Sequence, residues 1–459
     1  MEHSNVPNYQ GGNKLITAIM LAILTYWLFG QSFLNIGPHV QQTYQSSDGI
    51  INIAISLTSL FTGVFMVTAG GFADRFGRVK IMRLGLVLSI IGSILIIITH
   101  SSWLLLVGRA VQGFSAACLM PATISLINTY YYGNARHRAM SFWSMGSYGG
   151  TGLASLLAGS IATAISWQWI FIISIIVTVI SFYLLRDVPE VKEDSHHNTQ
   201  FDFLGLLFFI IFMLSLNVII SMGNQIGWLS ATTWLLILLF IVTLYSFIII
   251  EKRRQDPFID FSLFSSRFFI GTVIANFLMN TTVGTLALFN IFAQQNFNIS
   301  GLYSGFLTIP YMFGVLITIR IGERMMRERQ AKIPMMIGSG FVALGMLFIG
   351  LTVIPFNVYI FSSLFGFLLF GMGLGFFATP GLNTAVSNAP SEKVGIASGI
   401  YKMVATIGAA FGITIFTSLY NMIKASSSMT IAAMTGFLLC MVFVIIAIFI
   451  TKWIIPNKQ

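Results

Sequence analysis

Long apolar runs alternate with short polar breaks along the whole chain, and this pattern predicts its elements. About 20 mostly apolar residues are enough for one α-helix to cross a hydrocarbon core of about 30 Å. Fourteen such runs are present. The first six lie at 15–37, 50–70, 82–99, 103–130, 139–165 and 168–185. Two follow at 203–222 and 229–250, and the last six lie at 268–291, 302–320, 334–354, 357–379, 397–423 and 431–453.

A hydrophilic connection divides these runs into groups. Residues 186–201 form the longest charged stretch of the chain, and a second charged segment follows the eighth run. We therefore predict an all-α membrane protein with two six-helix bundles and two extra central helices. The predicted domains are an N-terminal bundle over 1–199, two inserted linker helices over 200–266 and a C-terminal bundle over 267–459.

Composition supports a chain that dissolves in lipid. Hydrophobic residues make up 56% and charged residues 8% of the sequence, and the mean hydropathy is +0.86, far from the values of soluble domains. The formal charge of +10 does not indicate nucleic-acid binding, because the cations are scattered between apolar runs. A nucleic-acid interface needs a basic patch on a soluble face.

Lysine and arginine positions predict the orientation in the membrane. Cytoplasmic loops of membrane proteins carry an excess of these residues. If both termini are cytoplasmic, 21 of the 24 cations fall on the inner side. Arg109 and Lys402 lie within spans, and Lys424 alone lies in an outer loop. An even number of spans with both termini inside follows.

The loop between the second and third runs carries the most specific motif. Residues 70–80, GGFADRFGRVK, combine glycines that permit a tight turn with the charged groups Asp74, Arg75 and Arg78. Asp74 can pair with a cation or cap a helix. This loop resembles the signature loop of the major facilitator superfamily, a resemblance that implies gating at the inner side. An ordinary basic loop with a helix cap is the alternative.

The fourth run contains a charge that needs a partner. Residues 106–113, LVGRAVQG, place Arg109 and Gln112 inside an apolar helix, where an unpaired charge costs several kcal/mol. The run resembles a family motif in which these two residue types face the transport path and are linked to proton movement. The alternative is a structural arginine bound to backbone carbonyls of a neighbouring helix.

The fifth run is rich in glycine and is followed by Trp167, Gln168 and Trp169. It resembles the antiporter motif of exporters, because small residues allow helices to approach closely and slide. Ser155 occupies the place of the expected proline, and Gln168 that of the expected arginine. The motif favours export.

Neutral polar and aromatic side chains are the candidate substrate contacts. They are Tyr26, Trp27, Gln31, Asn35, Asn276, Asn280, Tyr311 and Lys402. All fourteen Asp and Glu residues fall in termini, loops or span edges, which argues against a deep anionic site for cationic drugs. Lys402 extends to the cytoplasmic surface, contacts an anionic or zwitterionic substrate, or responds to protonation.

Further segments resemble the fourteen-span drug:proton antiporters of the Nor quinolone-efflux group. They are 12–15, 27–32, 115–122 and 379–395, and the likeness extends over nearly the whole chain. It implies a monomer in a bacterial plasma membrane that exports quinolones, dyes and quaternary ammonium compounds in exchange for protons. A facilitator or metabolite exporter of the same fold, without proton coupling, is the alternative.

Other classes of function lack the residues they need. The sequence contains no GxxxxGK[ST] motif for ATP, no paired intramembrane carboxylates and no histidines at metal-ligand spacing. The two cysteines each lie in an apolar run, so neither a disulfide nor a cysteine metal site is expected. We therefore expect no enzyme activity, no cofactor and no metal.

Overall fold

The structure, a computed structural model, describes residues 9–98, 101–144, 146–147, 150–190, 202–254, 259, 261–328, 330–390 and 394–456. The regular elements among these residues are all helical. Twelve helices are long and apolar enough to cross a membrane, and two shorter apolar helices, Leu153–Ala164 and Gln168–Leu184, accompany them. The prediction of an all-α membrane protein with about fourteen spans is confirmed.

We number fifteen helices of the described chain in order. The first group comprises α1 (Asn13–Tyr44), α2 (Asp48–Phe76), α3 (Arg78–Ile98), α4 (Ser102–Tyr130), α5 (Gly133–Ser144), α6 (Gly150–Ala164) and α7 (Gln168–Leu184). The middle pair is α8 (Phe203–Ile226) and α9 (Ala231–Arg253). The second group comprises α10 (Arg267–Phe297), α11 (Gly301–Glu328), α12 (Lys332–Ile349), α13 (Phe356–Ser387), α14 (Val394–Lys424) and α15 (Met429–Trp453).

Helix boundaries differ from the apolar runs in two ways. α5 begins at Gly133, ahead of the predicted fifth span, 139–165, whose described residues lie in α5, in a π turn at 146–147 and in α6. Several helices also continue past the apolar run, as α1 does to Tyr44 and α13 to Ser387. A helix needs hydrogen bonds rather than apolar residues to continue, so it extends into the polar layer until a cap or a turn ends it.

Two helices are interrupted near their middle. In α1 the regular helix gives way to a π turn over Thr25–Phe29 and a 3-10 turn over Gly30–Ser32. In α10 the regular segments Arg267–Thr281 and Gly284–Phe297 are separated by a short turn. These are the first helices of the two groups, so the interruptions occupy related places in a two-fold arrangement.

The bundle has two distinguishable ends. We call one the Asp48 end, where Ser46 and Ser102 approach each other and α2 begins with Ser47 as its cap. The other is the Gly77 end, where α2 ends at a glycine with φ +117°. There the N–H of Gly11 donates to the Tyr130 carbonyl over 2.9 Å.

Close glycine contacts join the first group to the second. A Cβ on Gly159 of α6 would lie 2.1 Å from the carbonyl oxygen of Gly301 at the start of α11. On α2, a Cβ on Gly63 would lie 2.7 Å from the Ile407 side chain of α14. Small residues at these positions allow the helices to touch through their backbones.

The middle pair lies against the junction of the two groups. The Asn217 side chain of α8 donates to Thr414 Oγ1 of α14 over 2.9 Å and lies 3.4 Å from Ser56 Oγ of α2. Its partner α9 presents large apolar side chains outward, including Leu235 and Tyr245. The outer face of α9 therefore has the character of a lipid-facing surface.

Candidate functional site

Arg109 on α4 is buried between α1 and α2. Its Nε donates to the Ala54 carbonyl over 2.8 Å, and its Nη1 donates to the Gly30 carbonyl over 2.9 Å. The guanidinium carbon lies 4.1 Å from the centroid of the Phe33 ring. Backbone dipoles and a ring face thus balance the charge. These contacts match the structural alternative raised for this arginine.

Gln112 lies one helical turn further along α4 and binds Arg109 directly. Its Oε1 accepts from Arg109 Nη1 over 2.8 Å, and its Nε2 donates to Ser93 of α3 over 3.4 Å. The two residues predicted to act together therefore do meet, and Gln112 connects the arginine to the next helix.

Tyr26 and Trp27 on the π turn of α1 begin an aromatic cluster. Their ring centroids are 4.8 Å apart in an edge-to-face arrangement. Met66, Met120 and Trp143 pack with them, and these five residues are called the aromatic cluster below. The Nε1 of Trp27 is buried and has no hydrogen-bond partner among the described residues. The flexible thioethers give this cluster an adaptable apolar surface.

Gln31 and Asn35 lie further along α1, and the structure separates their surroundings. Gln31 donates to Ser59 of α2 over 3.3 Å and stays within the first group. Asn35 donates to Asn290 over 2.8 Å and to the Gly301 carbonyl over 3.1 Å, both in the second group. Asn35 therefore joins the two groups instead of lining the aromatic cluster.

Amide side chains surround this junction towards the Asp48 end. Gln294 donates to the Asn35 carbonyl over 2.8 Å, and Asn290 lies 3.4 Å from Ser155 of α6. We call Asn35, Asn290 and Gln294 the amide cluster. Only Asn35 was predicted, because the sequence does not indicate that Asn290 and Gln294 of α10 lie next to α1.

The candidates Asn276, Asn280 and Tyr311 are embedded in contacts within the second group. Asn276 donates to the Tyr401 carbonyl over 2.8 Å, and Asn280 donates to Asn276 Oδ1 over 2.9 Å. Tyr311 is 6% exposed and its ring centroid is 4.9 Å from that of Phe370. The asparagines connect α10 to α14, and Tyr311 of α11 packs against α13.

Lys402 on α14 reaches across to the first group. Its Nζ lies 5.3 Å from the centroid of the Trp143 ring, a cation–π contact with α5. The Trp143 indole is held by a hydrogen bond from its Nε1 to Thr123 over 3.1 Å. Lys402 is partly exposed although it lies within a span. The structure thus brings Lys402 to the aromatic cluster.

The signature loop lies at the Gly77 end. Glu190 accepts hydrogen bonds from the N–H groups of Val79 and Lys80, each over 2.9 Å, and so caps α3. The backbone φ of +117° at Gly77, a conformation that residues with a Cβ rarely adopt, explains a glycine there. Sequence reasoning missed Glu190; the available signal was a helix start without an acidic residue in its first turn.

The charged residues of this loop have separate surroundings. Arg78 donates to Thr129 of α4, and Arg75 is exposed, with its guanidinium 5.6 Å from the Phe76 ring. The Asp74 side chain lies outside the described part of the structure. Nearby, the Lys14 ammonium pairs with Asp187 over 2.5 Å and holds the pKa of that carboxyl below its usual range.

An ion pair missed by sequence reasoning connects the two groups at the Asp48 end. Lys424 Nζ on α14 lies 3.5 Å from Asp48 Oδ2 on α2, and Gln295 also contacts the ammonium over 3.4 Å. The topology predicted from the sequence contains a feature that points to this pair. Asp48 is the only acid, and Lys424 the only cation, that it assigns to outer loops.

No group of three or more His, Cys, Asp or Glu side chains that could hold a metal occurs within the described ranges. Cys118 and Cys440 are both buried and free. The chemistry of the junction between the groups therefore depends on cations, amides, thioethers and aromatic rings.

Comparisons with known proteins agree on one family. Residues 15–413 match the model of the Major Facilitator Superfamily. The quinolone resistance proteins NorB of Staphylococcus aureus strains COL and MRSA252 are each 42% identical over 459 residues, which is 100% of this chain and 99% of theirs. NorB of strain MSSA476 is 42% identical over 462 residues.

Solved structures share the fold at low sequence identity. The crystal structure of a POT family transporter in complex with 5-aminolevulinic acid has a TM-score of 0.71 at 15% identity, covering 96% of each chain. The in meso crystal structure of the POT family transporter PepTSo has a TM-score of 0.69 at 14% identity, with the same coverage. The chain is a multi-pass membrane transporter, not an enzyme, and it belongs to the Major Facilitator Superfamily.

Proposed function

We propose that this transporter exports hydrophobic drugs, including quinolones, dyes and quaternary ammonium compounds, from a bacterial cell in exchange for protons. The observation that carries the proposal is 42% identity, over the full length, to proteins named for quinolone resistance. It acts as a monomer in the plasma membrane and contributes to antibiotic resistance. Both termini are cytoplasmic, which the distribution of Lys and Arg supports, so the Asp48 end faces outward.

The drug site lies between the two groups of helices, at the aromatic cluster and Lys402. Tyr26, Trp27 and Gln31 contribute from α1, where the π turn supports a local change of conformation. Asn35, Asn276, Asn280 and Tyr311 are further contacts that become available when their present partners separate. Alternating access then consists of rocking the two bundles about this site.

The outer side is closed in this conformation. The amide cluster, the Gly159–Gly301 contact and the Asp48–Lys424 pair all join the groups at the Asp48 end. Opening outward requires these contacts to break together. The signature loop, with Asp74, Arg75 and Arg78, gates the opposite side.

Proton coupling is assigned to Arg109 and Gln112. Arg109 binds the Gly30 carbonyl inside the interrupted part of α1, so a movement of α1 changes the number of hydrogen bonds that the guanidinium makes. Neither a guanidinium nor an amide exchanges a proton near neutral pH, so the two residues respond to protonation of another group rather than carry the proton. The bundles are assigned to residues 1–199 and 267–459, with 200–266 as the linker pair that lies against their junction.

Inside-out vesicles test the export proposal. We expect vesicles containing the protein to accumulate norfloxacin and ethidium when the lumen is made acidic, and to release both when a protonophore is added. Vesicles without the protein are the control. Failure of the wild-type protein to move any of these compounds would overturn the drug-export proposal.

A facilitator or metabolite exporter is the second candidate. It is favoured by the positions of the described acidic residues, which lie at or near helix ends rather than in the middle of a span, since intramembrane carboxylates are the usual proton carriers. Flux that follows the drug gradient alone, and persists after the pH gradient is collapsed, would support this candidate and exclude antiport.

A further inference from the structure

The Lys402 charge lacks an acidic partner. Lys402 makes no ion pair with any described residue, and its ammonium is placed over the Trp143 ring. It lies eight residues after Val394, the first residue of α14, roughly 12 Å along the helix axis. A cation–π contact is worth about 0.5–2 kcal/mol and supplies no counter-ion, so the partly exposed ammonium keeps a full charge that an anion can neutralise. The site therefore favours an anion.

The contact across the junction gives this charge a specific neighbour. Trp143 belongs to the first group and Lys402 to the second, so a ligand between the groups touches both. The hydrogen bond from Trp143 Nε1 to Thr123 fixes the indole plane. The ammonium lies over this indole, so a ligand whose carboxylate pairs with Lys402 has its ring next to Trp143.

The aromatic cluster adds a second polar feature. The N–H of Trp27 is buried without an acceptor among the described residues, and an unmade hydrogen bond of this kind costs about 1–3 kcal/mol. Met66 and Met120 provide adaptable apolar walls. The site thus combines a cation, an indole donor and aromatic faces.

We propose that Lys402 and Trp143 bind two parts of one ligand, an aromatic carboxylate or zwitterion. Lys402 pairs with the carboxylate, while Trp143 and the rest of the aromatic cluster bind the ring. This inference rests on the proposed function and narrows it, because it predicts that aromatic acids bind more tightly than matched compounds without the carboxylate.

Calorimetric titration of the purified protein tests the assignment with two probes, norfloxacin and its methyl ester. For Lys402→Gln we expect acid binding to weaken at least about tenfold, whereas ester binding should not weaken, because the ester has no carboxylate to pair with Lys402. Lys402→Arg keeps the charge and should stay within about threefold of wild type for both probes. Trp143→Leu should weaken acid and ester together, whereas Trp143→Phe keeps a ring and most of the affinity.

Lys452→Gln is the matched control. Lys452 also lies over a tryptophan, with 5.5 Å from its Nζ to the Trp453 ring centroid, but at the end of α15. Its loss should leave both affinities unchanged. The melting temperature of Lys402→Gln separates binding from structure, since a partly exposed charge with no ion pair among the described residues contributes little stability and its removal should not lower that temperature.

Three results would overturn the inference. If Lys402→Gln binds each probe as tightly as the wild-type protein does, Lys402 is not part of the site, and the drug-export proposal is unaffected. Equal weakening for both probes, with a lower melting temperature, would make the lysine structural. If the wild-type protein binds neither probe, the substrate class itself is wrong.

Discussion

Arg109 shows how a full charge is kept within a membrane helix. The side chain is 1% exposed, and its hydrogen bonds go to two backbone carbonyls and one amide oxygen. Hydrogen bonds of a charged donor are strong, and a low local dielectric strengthens them further. Among the described residues, Lys402 has no comparable set of hydrogen-bond partners. The two intramembrane cations are therefore held differently, Arg109 by hydrogen-bond acceptors and Lys402 by the contact with the Trp143 ring.

The Arg109 network predicts a large effect of mutation. Arg109→Ala leaves two carbonyls and the Gln112 amide without their donor, and each unmade bond costs about 1–3 kcal/mol. We expect a lower melting temperature and at least about a tenfold loss of gradient-driven norfloxacin uptake. Arg324→Ala is the control, because its ion pair with Glu328 is exposed. Normal uptake by Arg109→Ala would show that the network is dispensable.

At the scale of helices, the apolar runs predicted nearly every element. Such runs and the positions of Lys and Arg reflect the free energy of transfer into lipid, which depends on local sequence. The interruption at Thr25–Phe29 was not predicted, because a change of helix type inside an apolar run leaves hydropathy unchanged.

Contacts between helices could not be predicted from the sequence. Asn35 is more than two hundred positions from Asn290, and Lys402 is as far from Trp143, so only packing brings each pair together. Arg109 differs in this respect, because an arginine within an apolar run needs hydrogen-bond acceptors nearby, and the sequence alone shows this need. Its contacts with backbone carbonyls fit one of the two interpretations drawn from sequence, while its role in coupling stays a prediction.

The Asp48–Lys424 pair predicts control of the outer opening. With Asp48→Asn the contact between α2 and α14 weakens, so the population open at this end should rise. We expect severalfold faster thiol labelling of Asn52→Cys, a buried position near the pair, in a background with Cys118 and Cys440 replaced by serine. The measurement is labelling of intact cells with a membrane-impermeant maleimide.

The exchanged pair Asp48→Lys with Lys424→Asp is the control, because it restores attraction with reversed signs. It should return the labelling rate towards that of the unmutated pair. Identical labelling of Asp48→Asn and the unmutated pair would mean that the ion pair does not hold this end closed. Exposed pairs contribute only about 0–1 kcal/mol, so the expected shift is moderate.

For the whole molecule, backbone contacts at glycine determine how closely the two groups approach. The Gly159–Gly301 approach has no flexible side chain that can yield to a methyl group. Gly159→Ala should therefore lower stability by about 1–3 kcal/mol and slow uptake by separating α6 from α11. Melting temperature and vesicle uptake measure the two effects.

Gly340→Ala on α12 is the matched control, because an added Cβ there meets nothing within 4 Å. It should leave the melting temperature and uptake unchanged, or raise stability slightly through helix propensity. Equal behaviour of the two alanine variants would show that α6 and α11 can separate without cost.

The Glu190 cap has a consequence for how such a protein can evolve. The segment at the end of the first group makes three contacts with that group: Asp187 pairs with Lys14, the Pro189 carbonyl accepts a hydrogen bond from Tyr130, and Glu190 caps α3. The first group is thereby complete before α8 begins at Phe203. A pair of helices inserted after this junction therefore leaves these three contacts of the first group in place.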